Sequence, residues 1–324
     1  MAESYFGRVA RLEEILARLQ PSLGLLTGEP VPLSGGITNH NFRVTLGGQA
    51  YVVRVHGIGT KLLGIDRDAE RVASSVGAQL GIAPELVAAF DDCLVTRFID
   101  CEPVIPHEIA DHVEALAWAL RSFHDSPAKL PTRFWVPDLL QEYADRVHEL
   151  GVQTTAVYGR AATVAARIAA ALPLDNPRPC HNDLLTSNLI RARAGAGRAG
   201  GEMLIVDWEY AGMGDPYFDL GNLSVNNDFD EATDERLLGA YHGAPVTDTR
   251  RARLALMRIL SDAREGAWGV VQAEISELDF DFGRYARTHF ERMEAAIEQP
   301  QLEEWLATAG AAAGDTNPQE ETDG

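Results

Sequence analysis

The sequence contains no uninterrupted apolar run near the ~18 residues that a membrane span would need. Its opening residues, Met1-Ala2-Glu3-Ser4, lack a secretory pattern, so the expected location is the cytoplasm. Cysteine is scarce. Cys93, Cys101 and Cys180 show no metal-ligand spacing, and their odd number in an intracellular setting implies free thiols. Positive charge is also short: a formal net charge of −20 over 324 residues argues against a broad nucleic-acid-binding surface. That acidity suits a cationic ligand and equally suits solubility alone. No internal repeat is present.

Hydrophobic residues make up 46% of the chain, enough for a sizeable core, and the length suggests about two domains or lobes. Residues 3–19 read as an amphipathic helix with Phe6, Val9, Leu12, Leu16 and Leu19 near one face, ended by Pro21. A strand, a tight turn and a second strand are expected over residues 31–44. A Gly47-Gly48 hairpin then leads into Tyr51-Val52-Val53-Arg54-Val55. Strands over 85–90 and 93–99 complete an antiparallel sheet, and Asp100-Cys101-Glu102-Pro103 leads out of it as a hinge. From about residue 105 the pattern is helical, with Val113, Leu116, Leu120 and Phe123 on one face. Further helices are expected near 138–150, 154–172, 230–241, 247–273, 280–298 and 302–309. The fold class expected is α+β, with residues 1–100 as a nucleotide-binding lobe and 101–312 as a catalytic and substrate-binding lobe. Residues 313–324, small and acidic, read as a disordered tail. The basic, glycine-rich stretch 191–201 reads as a mobile hairpin tip, with phosphate binding as the alternative.

Two acidic segments organise the chain. Cys180-His181-Asn182-Asp183 is followed by Asn188, and Leu204-Ile205-Val206-Asp207 comes after the glycine-rich turn. An Asp, an Asn five positions on, and a further Asp after the next strand is the order used for transfer of a nucleotide γ-phosphoryl group. That chemistry needs an acceptor for a hydroxyl proton and oxygen ligands for Mg²⁺, and these residues supply both. Asp183 is the candidate base; Asn188 and Asp207 are the candidate metal ligands. Ser34, Gly35, Gly36, Thr38 and Asn39 form a turn able to cradle phosphates, although no Gly-Lys-Ser/Thr follows, which excludes the P-loop. The same turn reads as a plain hairpin if taken alone. Arg54 sits where a phosphate-binding cation is expected, and Glu70, on a helix over about 66–80, is its candidate partner. Glu70 otherwise reads as a solvated carboxylate among Arg67 and Arg71. The metal segment reads Asp207-Trp208-Glu209 where a peptide-phosphorylating kinase has Asp-Phe-Gly, and no Ala-Pro-Glu follows it, which argues against that class.

These motifs resemble the aminoglycoside phosphotransferase and choline kinase superfamily, in particular its choline/ethanolamine kinase branch, over about residues 6–305. The resemblance rests on Gly35-Gly36-Ile37-Thr38-Asn39, on Arg54 in its strand, on His181 to Asn188, and on Asp207-Trp208-Glu209-Tyr210 with Phe218-Asp219-Leu220-Gly221-Asn222. It implies a two-lobed protein-kinase-like fold with a small antiparallel β lobe and a mostly helical lobe. It implies ATP and Mg²⁺, with Asp183 as base, Asn188 and Asp207 on the metal, and Asp219 accepting hydrogen bonds from the catalytic-loop backbone. Glu209 either reaches a second metal through water or is a surface acid. Tyr210, Trp268 and Tyr285 correspond to rings that hold an ammonium group by cation–π attraction. Three positions depart from the branch: Glu265 stands for a tryptophan, Phe282 for a tyrosine, and Asn226 near an acid that faces the cation. Glu265 or Glu274 would restore the negative charge.

The implied activity is phosphorylation of an amino alcohol hydroxyl, choline or ethanolamine first, with a small amine or ammonium alcohol as the partner and no nucleic acid. Thiamine, an amino sugar or an aminoglycoside is the alternative, which the acids Asp262, Glu265, Glu274, Glu277, Asp279 and Asp281 would favour. A nucleotide-binding pseudo-kinase is the remaining one, and intact Asp183, Asn188 and Asp207 argue against it.

Overall fold

The computed structural model describes residues 5–33, 39–57, 63–102, 104–195, 200–276, 278 and 280–311. Ser34, Gly35, Gly36, Thr38, Pro103, Glu277, Asp279 and the tail at 313–324 lie outside the described residues.

Helix α1 (Tyr5–Leu23) lays Leu12, Ile15, Leu16 and Leu19 on one face of the first sheet, forming a small core with Val44, Tyr51, Val53 and Val95. Pro21 does not end this helix. It lies in the last turn, where a missing N–H removes a single bond, and the chain leaves at Gly24 with φ +93°. The sheet contains β1 (Val31–Leu33), β2 (His40–Leu46), β3 (Gln49–Val55), β4 (Leu86–Phe90) and β5 (Cys93–Arg97), fully antiparallel in the order β1-β2-β3-β5-β4. The β2–β3 turn is Gly47-Gly48, both at positive φ, as two-residue hairpins matched to strand twist require. Strand alternation then assigns the faces. Tyr51, Val53 and Val55 are buried against the α1 side, so Val52 and Arg54 face the other way, into the cleft. Helix α2 (Arg67–Gln79), capped by Asp66, carries Glu70 on its buried face.

Beyond the sheet, β6 (Cys101–Glu102) is followed by α3 (Pro106–Ile109), α4 (Val113–His124), α5 (Val136–Glu149) and α6 (Ala156–Ala171). Strand β7 (Arg178–Cys180) enters the catalytic segment, a 3-10 turn spans Thr186–Asn188, and β8 (Leu189–Ala192), β9 (Met203–Ile205) and β10 (Gly212–Gly214) follow. Helices α7 (Pro216–Asn226), α8 (Glu231–His242), α9 (Asp248–Ile275), α10 (Phe282–Ile297) and α11 (Leu302–Gly310) complete the second lobe. The fold is two-lobed α+β: an antiparallel sheet with its helices, then a mostly helical remainder. Strand β6 pairs with β8, and β8 with β9. Basic residues of the glycine-rich stretch are part of this arrangement: Arg191 reaches Glu102 at 3.0 Å, and Arg193 reaches Asp100 at 3.1 Å. The long helix α9 runs through the centre of the large lobe, packed on α5, α6, α7, α10 and α11. Its position fixes the side chains that face the catalytic loop.

Candidate active site

Asp219 holds the catalytic loop. It is fully buried in the first turns of α7 and accepts the backbone N–H groups of His181 and Asn182, each at 2.7 Å. His124 Nε2 also meets Asp219 at 2.9 Å, while its Nδ1 meets the Tyr241 hydroxyl at 2.8 Å. His124, at the end of α4, therefore supports the loop through Asp219. Asn222 accepts from the Leu184 N–H, and Asn227 donates to the Leu184 carbonyl at 3.1 Å. Asn182 adopts φ +67°, a conformation Asn tolerates better than most side chains, and its amide bridges to the Tyr210 carbonyl at 3.0 Å. The turn this creates presents Asp183 to the cleft.

Asn188 Nδ2 donates to the carboxylate and the carbonyl of Asp183, both at 2.8 Å. With its nitrogen so engaged, the amide oxygen of Asn188 is left as a ligand atom. Asp207 stands at φ +65° just past β9. An amide oxygen and a carboxylate are the hard donors that Mg²⁺ takes, so the residues present fit that ion. Among the described residues, the group with three ligand types in mutual reach is His124, Cys180 and Asp219. Its Asp and His atoms are already bound to one another and to the loop, which assigns it to structure.

From the small lobe, Arg54 pairs with Asp207 and, at 3.2 Å, with Glu70. Glu70 is buried, not solvated, and also receives Arg67 at 2.7 Å. Burial works against the charge on Arg54, but Asp207, Glu70 and Glu209 outweigh it and raise its pKa. Glu209 is not a surface acid. It is buried, accepts from Asn39 Nδ2 at 2.7 Å, and lies 3.4 Å from Arg67. Burial pushes its carboxyl up to about 7, with Asp207 adding and Arg54 opposing. Asn39 is directed to this network as well, its oxygen accepting from Arg67 at 3.1 Å and from the Gly57 N–H at 3.3 Å.

A cavity of about 370 Å³ joins these parts. Its apolar end is lined by Val52, Leu94, Phe98, Ile99, Leu185 and Ile190, a slot that suits a flat base; its other end reaches Asp183, Glu265, Trp268 and Tyr285. Trp268 Nε1 donates to the Tyr210 hydroxyl at 2.8 Å, and the Trp268 and Tyr285 rings meet edge-on at 5.7 Å. Tyr210, Trp268 and Tyr285 thus stand together. So does a residue that the sequence motifs did not single out, Arg264. Its guanidinium lies over the Tyr210 ring at 4.3 Å, reaches Glu265 at 2.6 Å and Asp183 at 3.2 Å, and is 1% exposed. The second Glu265 oxygen accepts the Tyr285 hydroxyl at 2.7 Å. Burial drives the Asp183 pKa up to about 8; Arg264 opposes this, and Glu265, Asp207 and Glu209 reinforce it. Glu274 is exposed, Asn226 accepts from Arg292 at 3.1 Å, and neither lines the cavity. The periodicity of α9 already places residue 264 four positions before Trp268, on the same face.

Fold and site define a phosphotransferase with a kinase-like two-lobed architecture. The model of the phosphotransferase enzyme family matches residues 29–256. A choline/ethanolamine kinase family protein of Mesorhizobium loti is 30% identical, covers 93% of this chain and 99% of its own, and superposes with a TM-score of 0.76. The choline kinase LicA of Streptococcus pneumoniae is 25% identical over 89% of this chain and 99% of its own, with a TM-score of 0.72. The choline/ethanolamine kinase of Mus musculus is 24% identical over 313 residues, 80% of this chain and 78% of its own. This chain belongs to the phosphotransferase enzyme family, in its choline/ethanolamine kinase branch, and is a kinase of small molecules.

Proposed function

We propose that the protein transfers the γ-phosphoryl group of ATP, with Mg²⁺, to the hydroxyl of a small amino alcohol. The observation that carries this is the joint placement of Asp183, Asn188 and Asp207 on one wall of the cleft, opposite Arg54 and Glu70. The apolar slot receives the base. Arg54, braced by Glu70, meets the phosphates, and Ser34, Gly35, Gly36, Thr38 and Asn39 are the further candidate phosphate contacts. Mg²⁺ on Asn188 and Asp207 would offset the phosphate charge. Asp183, aligned by the Asn188 amide, accepts the hydroxyl proton.

Choline and ethanolamine lead the acceptors because the relatives are named for them. The rings of Trp268 and Tyr285 add support, while the Tyr210 ring already carries Arg264. An aminoglycoside is disfavoured: of the acids that would suit it, Asp262 is bound by Arg292 and His289, Asp281 caps α10, and Glu274 is exposed. The test is coupled ADP release with choline, ethanolamine, thiamine, an amino sugar and kanamycin, with Asp183→Asn as the blank. Turnover of an amino alcohol well above the others is expected; turnover of kanamycin alone would refute the acceptor assignment.

A further inference from the structure

Both carboxylate oxygens of Asp183 are held. Oδ2 accepts from Asn188 Nδ2 at 2.8 Å and Oδ1 from Arg264 Nη1 at 3.2 Å, so the group is pinned from the catalytic loop and from α9. Arg264 is itself fixed. Its Nη1 also donates to Glu265 Oε1 at 2.6 Å, and the Tyr285 hydroxyl on α10 donates to the other Glu265 oxygen at 2.7 Å. The guanidinium lies over the Tyr210 ring at 4.3 Å, with the Phe134 ring 6.0 Å away. Trp268 follows Arg264 by one helical turn, so a single helix carries both the arm on the candidate base and a ring of the acceptor pocket.

Stability alone does not account for this arm. Nε and Nη2 of Arg264 are buried and make no hydrogen bond of normal geometry, although the Tyr143 phenol lies near. A buried ion pair with unmet donors is commonly no more stable than apolar side chains of the same volume. What the guanidinium gains by its place is a hold on Asp183. A carboxylate held by one donor can turn about its Cβ–Cγ bond; held through both oxygens it keeps one orientation. Each oxygen retains a further lone pair, so Asp183 can receive a hydroxyl while held in this way.

We infer that Arg264 is a positioning residue for phosphoryl transfer: anchored by Glu265, it holds the Asp183 carboxylate in the orientation that receives the acceptor hydroxyl. The inference rests on the kinase reading of this cleft and adds a residue to it. In the step, the hydroxyl oxygen bonds to the γ-phosphorus as the bond to ADP breaks, and the hydroxyl proton passes to Asp183. Arg264 exchanges no proton and acts only through Asp183. Small misplacements of a reacting group, on the order of 1 Å, cost about 100-fold in rate, which sets the size of the effect.

The experiment measures kcat and KM for ATP, and for choline and ethanolamine, in wild type, Arg264→Lys, Glu265→Gln and the double variant Arg264→Met/Glu265→Gln. The double variant removes the guanidinium without stranding a buried carboxylate charge. Its kcat is expected about 100-fold below that of Glu265→Gln, with both KM values within about threefold. Arg264→Lys keeps a cation but not the planar fork, and its kcat should fall only about three- to tenfold below wild type, again at unchanged KM. A merely structural role would move kcat and both KM values together and would gain nothing from lysine. A double variant within about threefold of Glu265→Gln in kcat overturns the inference, as does a loss confined to the acceptor KM. So does a lysine variant as impaired, relative to wild type, as the double variant is relative to Glu265→Gln. If the double variant fails to fold, Arg264→Lys decides, and a wild-type kcat overturns the inference. Each of these leaves the kinase standing, whereas a wild type that turns over neither alcohol nor any other acceptor refutes the kinase reading and this inference with it.

Discussion

Arg54 on β3 and Asp207 after β9 are ion-paired across the cleft, so a candidate phosphate ligand and a candidate metal ligand neutralise each other in the free protein. On the proposed reading, a magnesium-bound nucleotide would replace each with its natural counterpart: phosphate for Arg54 and metal for Asp207. Arg54→Ala should therefore raise KM for ATP by about tenfold or more, as loss of a charge-assisted bond implies, and should affect KM for the acceptor far less. Initial rates over an ATP series check this; an unchanged KM would remove Arg54 from the phosphates.

Asp219 is the second target. Replacing it with Ala leaves the His181 and Asn182 N–H groups and His124 without their acceptor in a fully buried position. The expected loss is about 3 kcal/mol or more in urea unfolding, together with near-complete loss of turnover. Stability within about 0.5 kcal/mol of wild type would contradict its role as the anchor of the loop.

Gly221 is where α7 touches α9. A Cβ there would stand 2.7 Å from the Met257 carbonyl carbon and 2.8 Å from the Arg258 nitrogen, both rigid backbone atoms. Gly221→Ala should cost about 1–3 kcal/mol and push α9, with Arg264, Glu265 and Trp268, off the catalytic loop. A higher KM for the acceptor with KM for ATP preserved is the kinetic signature.

Much of this was legible in the sequence, for identifiable reasons. Arg54 in its β-branched strand, with Glu70 on the following helix as candidate partner, is legible in the sequence, and the structure pairs them in the cleft. The spacing of Asp183 and Asn188 predicts neighbours, and a 3-10 turn makes them so. Pro21 misleads because proline is tolerated at a helix end as readily as it breaks a helix middle. Arg264 was the largest omission. A charged residue within a helix reads as solvent-facing, and only the packing of α9 against the catalytic loop buries it on Tyr210. The same packing engages Glu265, which as an isolated letter reads as a free counter-ion.

Glu209 predicts a pH effect. Burial raises its carboxyl from 4.5 to about 7, so the folded state holds this proton more tightly than the unfolded chain. Stability from that proton is present in full below about pH 4.5 and is lost as pH rises through about 7. Glu209→Gln, which cannot ionise, should gain on wild type across that window by at most about 3 kcal/mol. Parallel thermal melts of the metal-free proteins from pH 4 to 8 read the difference; a gap that narrows as pH rises would contradict it.

The central claim is that Asp183 takes a hydroxyl proton during phosphoryl transfer. Its most direct test is single-turnover transfer of labelled γ-phosphoryl from ATP to the best acceptor, comparing wild type with Asp183→Asn while nucleotide affinity is followed separately. The account predicts transfer slowed by about 10²–10⁴-fold with ATP affinity within a few fold of wild type. Transfer by Asp183→Asn at the wild-type rate would contradict it.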